Sequence, residues 1–478
     1  MSGLSLKTLS QSEIEYLHKK TMDIFENVGF KVTHDETLNR LKKAGTNVSE
    51  SDGIVKIPQK LFDELLACAP AVAIETGLNG KQMTVGDNHR YFQSLILDPF
   101  INDYEQGKRL PILEDVCRHT IIGESLGRIN AMMRMQFPVS DIPEPDSYYK
   151  TMEVFLCHHT KHVMIYPTSE QNCRDWFDVY EVIADAAGLN VKTTPLVSVA
   201  MAVITPLQLH GMNVEIMKMA MERCYPIIPT ICPMAGTTSP FSVAGTALLA
   251  NVESLIPVLI AQLYKPGHPV FYSIAPSVTD FRTGHDLYYK AEKMLWKTIA
   301  CQMGKFYNLP ISGETGGSLT HLPDMQNGAE SFAYMLTSIV NGQNILGGVG
   351  SMGNANGMSQ EQIIMQCGLI DMAEYLARGV DMSDYKLAVD SITQVGTGGN
   401  YMTDTLTMDL LRGDEFFTTE HFDLTGGYSD PSLGIYELAH QKALDLVANY
   451  KSTVPDKIQN VIRKFFASKY SDKTLAAY

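Results

Sequence analysis

Along most of this 478-residue chain, apolar positions switch between a period of two and a period near 3.6. The clearest stretch runs from Gly304 to Gly357. Two short apolar runs, residues 309–312 and 344–346, each open into a glycine-rich loop. Between them, apolar residues recur at helical spacing from about Pro323 to Val340. Strand, loop, helix, strand, loop is the repeating unit of a parallel α/β fold. The same unit recurs upstream, with helices at 113–126, 148–157, 171–187, 208–223, 243–264 and 287–307. The strands that follow them are 130–137, 162–166, 196–203, 226–232, 270–274 and 309–312. With 344–346 the pattern supplies seven strands, and the eighth that closes a barrel is expected at 387–395. No linker rich in Pro or Ser divides the region. The pattern predicts an α/β protein built as a (β/α)8 TIM barrel rather than an open Rossmann-like sheet.

The flanks read differently. Ser12 and Glu15 have capping-box spacing; Ile14, Leu17, Thr21, Ile24 and Val28 mark one helix face, and Gly29 sits where a C-cap belongs. Helices at 35–44 and 59–68 and a strand at 54–58 complete a mainly helical N-terminal cap, residues 1–85. A strand at 91–97 ends at Asp98. The barrel is expected over 86–395 and a C-terminal extension over 396–478, with a helix at 455–467.

Composition narrows the class. The net charge of −15 and a pI near 5.3 argue against nucleic acid or an anionic membrane as partner. The eight cysteines form no CxxC pair and the N-terminus has no apolar signal core, so reduced thiols and a cytoplasmic location are expected. The longest apolar stretch, 247–263, is interrupted by Asn251, Glu253 and Pro257, which argues against a membrane span. The 25 methionines read as adaptable core filler or as a soft wall around a ligand.

Candidate chemistry lies in the loops after the strands. Glu314 directly follows an apolar strand and could balance a cationic ligand in the barrel mouth, or be a hydrogen-bonded structural carboxylate. Arg282 could hold a substrate carboxylate or simply pair with Asp280. His321 and Asp324 stand at a helix start, where Asp324 could cap. Loop 233–240, with Gly236, could approach a polar group or be a plain turn. Gly348-Val-Gly350-Ser-Met-Gly353 matches GxGxxG but comes late and opens no helix, so a glycine-lined floor for a large planar cofactor, with Asn354 beside it, is preferred to a nucleotide site. His158, His159 and His162 lack zinc-ligand spacing, and no metal is expected. Tyr91, Tyr166, Phe271 and Tyr272 lie near strand ends and read as core or as a cage for a quaternary ammonium.

Several phrases taken together carry a family resemblance. They include PILEDVCRHTIIGESLGRINAM, PIIPTICPMAGTTSPFSVAG, DMQNGAESFAYMLTSIVNGQNILGGVGSM and VGTGGNYMTDTLTMDLLR, together with the N-terminal EIEYLHKKTMDIFENVGFKVTHDETLNRLKKAGTNV. Over almost its whole length the chain resembles the trimethylamine:corrinoid methyltransferase family. The resemblance implies a TIM-barrel enzyme that moves a methyl group from an amine to the Co(I) of a corrinoid (cobalamin) carried by a partner protein. Founding members carry pyrrolysine, which would fall around 317–324; this chain has only the twenty standard residues. Relatives without pyrrolysine demethylate quaternary amines, chiefly glycine betaine, with proline betaine, carnitine and γ-butyrobetaine as alternatives. No protein nucleophile or base is then required, and self-association into a homo-oligomer is expected. On this reading Tyr91, Phe92, Tyr166, Tyr272, Arg282, Glu314 and His321 form the substrate site, and Gly348, Gly350 and Asn354 face the cofactor. A non-catalytic quaternary-amine binding protein and a nucleotide-dependent oxidoreductase remain as readings of other classes.

Overall fold

The computed structural model describes residues 3–428 and 433–477, and its middle is a closed ring of parallel strands. In chain order they are β1 (Tyr91–Leu95), β2 (Ala131–Arg134), β3 (His162–Ile165), β4 (Val197–Ala202), β5 (Ile227–Thr230), β6 (270–272), β7 (Ser312–Glu314) and β8 (Ile345–Val349). Each pairs with the next, and β8 returns to β1 with Ile345 beside Tyr91. β6 is held only by the parallel bridges Ile227↔Val270 and Tyr272↔Ile311. Helices α1 (Leu113–Ser125), α2 (Asp146–Cys157), α3 (Glu170–Ala187), α4 (Gly211–Glu222), α5 (Val243–Tyr264), α6 (Glu292–Phe306), α7 (Met325–Val340) and α8 (Gln360–Arg378) alternate with them, giving the (β/α)8 barrel that the periodicity predicts.

Two expectations change. The eighth strand is not at 387–395, where the chain forms the short helices Asp384–Leu387 and Val389–Val395. The ring is completed by Tyr91–Leu95, which precedes the regular repeat. A hairpin, Phe100–Asp103 with Gly107–Arg109, separates this strand from α1 and hides its membership. The first capping box is Ser10 with Glu13, not Ser12 with Glu15: the Glu13 N–H donates to Ser10 Oγ, and the Ser10 N–H donates to Glu13 Oε2 at 2.8 Å.

The N-terminal helices Gln11–Asn27 and Gln59–Leu66 pack on α5. α5 is long and apolar enough to cross a membrane by composition, yet it is mostly buried here. Its Asn251 donates to Thr21 Oγ1 (2.7 Å) and Tyr307 OH (3.0 Å) and accepts from Tyr272 OH (2.6 Å), tying cap, helix and barrel strand together. At the N-terminal end of the barrel lies the hairpin Ala73–Thr76 with Gln82–Val85, where Pro195 O accepts from Thr76 N–H. At the other end, two small sheets flank the mouth. Hairpin 100–109 joins Gly357–Met358, and Met234–Ala235 pairs with Ser277–Thr279. Beyond α8 a segment of short helices leaves Val380, Met382, Val389, Met402, Leu411 and Phe416 exposed. Helices Ile435–Ala448 and Asp456–Ala467 then return to the barrel's outer layer.

Candidate active site

A parallel barrel strand is buried on both faces, so its inward residues are fixed by parity, not by polarity. On β1 that parity turns Gln93 and Leu95 inward; on β7 it is Ser312 and Glu314. Just past β2, β3 and β6 it is Met135, Tyr166 and Ser273. These side chains line a cavity of about 860 Å³ at the C-terminal ends of the strands, a volume that suits a small molecule.

The wall has two halves. Met133, Met135, Phe137, Met164 and Tyr166 form a polarizable, apolar half on β2 and β3. Opposite them lie Glu314, Asp98, Asp286, Tyr288 and Cys232. Burial, and then the Glu314 charge, hold the Asp98 carboxyl well above the usual carboxylate range. Its Oδ2 has no hydrogen-bond partner among the described residues, and neither has Gln93 Nε2 on the same strand edge. Burial also raises Asp286 and pushes the Cys232 thiol up to about 12. Tyr289 OH donates to Glu314 Oε2 at 3.4 Å and to Ser351 Oγ at 3.3 Å.

Behind this ionic half, α6 places Lys293 and Lys297 one turn apart, both buried. Desolvation lowers Lys293 to about 7 and Lys297 to about 8, and the Glu314 charge opposes the shift in each. Their Nζ atoms have no hydrogen-bond partner among the described residues. Asn354 locks the lid of the site. Its Oδ1 accepts from Tyr288 N–H at 2.7 Å and its Nδ2 donates to Asp286 O at 2.5 Å, joining the loops after β6 and β8.

Of the residues expected from sequence, Tyr166, Glu314, Gly348 and Asn354 line this cavity. The others do not. Tyr91 lies at the opposite end of β1, where its OH accepts from Thr84 N–H at 3.1 Å. Phe92 has the outward parity, buried in the core. Tyr272 points to Asn251 on α5. Arg282 is 90% exposed and pairs with Asp280 at 3.3 Å, the plainer of its two readings. His321 packs beneath Gly353 and Gly357, and a Cβ on Gly353 would strike its ring. A Cβ on Gly350 would strike Ile363, so neither glycine forms an open floor. Asp324 caps α7, accepting from Asn327 N–H at 3.0 Å. His158, His159 and His162 bond separately to Val154 O, Phe155 O and Ser198 Oγ. Among the described residues three possible metal ligands do converge, His34, Glu36 and Glu215, and there the Lys218 ammonium bonds both carboxylates at 2.8 Å.

Sequence reasoning missed Gln93, Asp286, Tyr288, Lys293 and Lys297. A signal for the lysines existed: positions 293, 297, 300, 301 and 304 form one helix stripe, and its other members, Ala300, Cys301 and Gly304, are core.

Comparison with known proteins agrees with this architecture. The chain is 25% identical to trimethylamine methyltransferase MttB of Desulfitobacterium hafniense, over 97% of this chain and 94% of that one. It is 23% identical to a glycine betaine methyltransferase of the same species, over 96% of each chain. The crystal structure of the Methanosarcina barkeri monomethylamine methyltransferase MtmB superposes with a TM-score of 0.53 at 13% identity, covering 92% of this chain and 88% of that one, and supports the fold. The family model for trimethylamine methyltransferase (MTTB) matches residues 4–473, and the chain belongs to that family of methyltransferases.

Proposed function

We propose that the enzyme binds a small quaternary amine, foremost glycine betaine, and transfers one N-methyl group to the Co(I) of a corrinoid carried by a partner protein, releasing the tertiary amine dimethylglycine. The observation that carries this reading is Glu314: a carboxylate at the end of β7, set in a cavity whose facing wall is methionine and aromatic. A permanent cation wrapped in methyl groups needs both halves, dispersion contacts for the methyls and a counter-charge for the nitrogen. The same reaction on proline betaine, carnitine or γ-butyrobetaine uses the same features. The relative that acts on glycine betaine and the absence of pyrrolysine from the sequence support a quaternary substrate over trimethylamine.

Burial keeps the Cys232 thiol and the Tyr288 hydroxyl of the cavity wall protonated, so neither is an activated nucleophile. A corrinoid fits this donor set because its reduced metal supplies the nucleophile when bound. The wall it would meet includes Gly347, Gly348 and Asn354. A Cβ on Gly347 or Gly348 would find nothing nearer than 3.5 Å, so that wall is open. This chain's own residues orient the substrate and exclude water. Glu314 holds the ammonium. Gln93 Nε2, rather than Arg282, donates to the substrate carboxylate. Asn354 keeps the Tyr288 loop closed over the pocket.

The partner docks on the barrel's C-terminal face, over loops 233–240, 275–284, 313–324 and 347–357. That rim exposes Phe241 and Phe281, edge to face with centroids 5.3 Å apart, and also Leu322 and Met325. The apolar segment after α8 suits contact with further copies of the chain as a homo-oligomer. The test is to incubate the protein with chemically reduced cob(I)alamin and each of glycine betaine, proline betaine, carnitine, γ-butyrobetaine and trimethylamine. Formation of the methylated corrinoid from one quaternary amine is the expected outcome; formation from trimethylamine alone would overturn the substrate reading.

A further inference from the structure

Lys293 and Lys297 play no part in the reading above, yet two buried, unpartnered ammonium groups beside one carboxylate are too costly to be filler. Lys293 Nζ lies 2.8 Å from the centroid of the Tyr288 ring and 5.5 Å from that of Tyr289. Tyr288 lines the cavity and Tyr289 bonds Glu314. The charged and titratable groups facing Lys293 come from every surrounding element. They are Glu314 at the end of β7, Lys297 on its own helix, Cys232 after β5, and Asp286, Tyr288 and Tyr289 in the loop after β6. Among these, Glu314 is the strongest attraction for its proton.

We propose that Lys293 is the resident counter-ion of Glu314, that a quaternary ammonium displaces its proton on binding, and that the lysine thereby selects permanent cations over neutral molecules of the same shape. This rests on the quaternary-amine reading of the cavity. In the empty site the Glu314 carboxylate is balanced from behind by the lysines. A substrate nitrogen with four carbon substituents brings a charge that no proton loss can remove. With that charge, two lysines would crowd two further cations around one carboxylate in a site of low dielectric, and the group that can become neutral does so. Lys293 is the one that yields, because it also faces the cavity-lining Tyr288 ring and is already the more easily deprotonated of the two. One proton leaves to solvent for each ammonium bound. Once the methyl group has gone, the nitrogen carries a lone pair instead of a charge. Lys293 takes a proton back from solvent as the product amine leaves, and Glu314 regains its internal counter-charge. An uncharged head group displaces no proton and leaves Glu314 balanced only by the lysine charges behind it.

The experiment is calorimetric titration of the full chain from pH 6 to pH 9, in buffers of differing ionisation enthalpy. The probes are glycine betaine, tetramethylammonium and 3,3-dimethylbutanoate, the carbon isostere of the betaine. For the two cations we expect release of about half a proton near pH 7, with Kd falling about fivefold from pH 6 to pH 7 and about twofold from pH 7 to pH 8, then levelling. The isostere should bind more weakly and release none. Lys293→Met should bind both cations with no proton release and a flat pH profile. Lys297→Met should keep the release with its midpoint moved upward, because one repelling charge is gone. Wild-type binding that is flat in pH and silent in proton release would overturn this inference and leave methyl transfer untouched, and that result needs no variant to fold. Linkage lost in Lys297→Met but kept in Lys293→Met would also overturn it. Failure of every quaternary amine both to bind and to donate a methyl group would overturn the underlying reading as well.

Discussion

The two halves of the cavity wall solve different problems. The half on β2 and β3, with Met133, Met164 and Tyr166, is complete without a ligand: it is apolar surface that any group of suitable size can cover. The half around Glu314 is incomplete, since Asp98 Oδ2, Gln93 Nε2 and both lysine Nζ atoms lack partners among the described residues. A wall that is satisfied when empty gives grip but little discrimination. A wall that is unsatisfied when empty gives discrimination, because only a ligand of the right charge makes good its desolvation.

That contrast can be broken most forcefully at Glu314. Glu314→Gln keeps the shape and removes the charge; kcat/KM for a quaternary amine should fall about 1,000-fold, roughly 4 kcal/mol, in the cob(I)alamin assay. A loss under tenfold would show that the charge is not the anchor. On the opposite wall the effect should be smaller and confined to binding. Tyr166→Leu removes a ring face and should raise KM about tenfold with kcat little changed. Outside both walls, Phe281→Asp at the rim should slow transfer to a protein-bound corrinoid about fivefold and leave transfer to free cobalamin unchanged. Equal losses with both acceptors would move the docking face elsewhere. The smallest effect is expected from Arg282→Ala. This side chain is solvated and paired only with Asp280, so KM should change less than about twofold.

Much of the architecture was legible because helices announce themselves. The helix at Val243–Tyr264 is read to the residue, and Asp324 stands at the N-cap where the pattern places a helix start. The first barrel strand was harder, since hairpin 100–109 separates it from α1 and the regular repeat. The segment 387–395 is β-branched and apolar enough to pass for a strand, but the ring has no gap left for it once β8 meets β1. The site was half legible. Glu314 could be found because it breaks an apolar run. Phe92 and Tyr272 failed on parity, since nothing in a strand buried on both faces tells inside from outside, while Tyr91 shares the inward parity of Gln93 but sits at the wrong end of β1. The lysines failed for the opposite reason, since two cations four residues apart on a helix ordinarily mark its solvated face.

The apolar segment after α8 has a consequence for how such a protein must be handled. A compact monomer of 53.0 kDa should expose roughly 17,700 Å², whereas this chain exposes 21124 Å². Surface of that extent and character is what permanent subunit contacts remove from water. Stability in the homo-oligomer proposed above would then obey mass action: diluting the enzyme tenfold would shift its melting temperature, and an assay at nanomolar protein would decay with time even at saturating substrate.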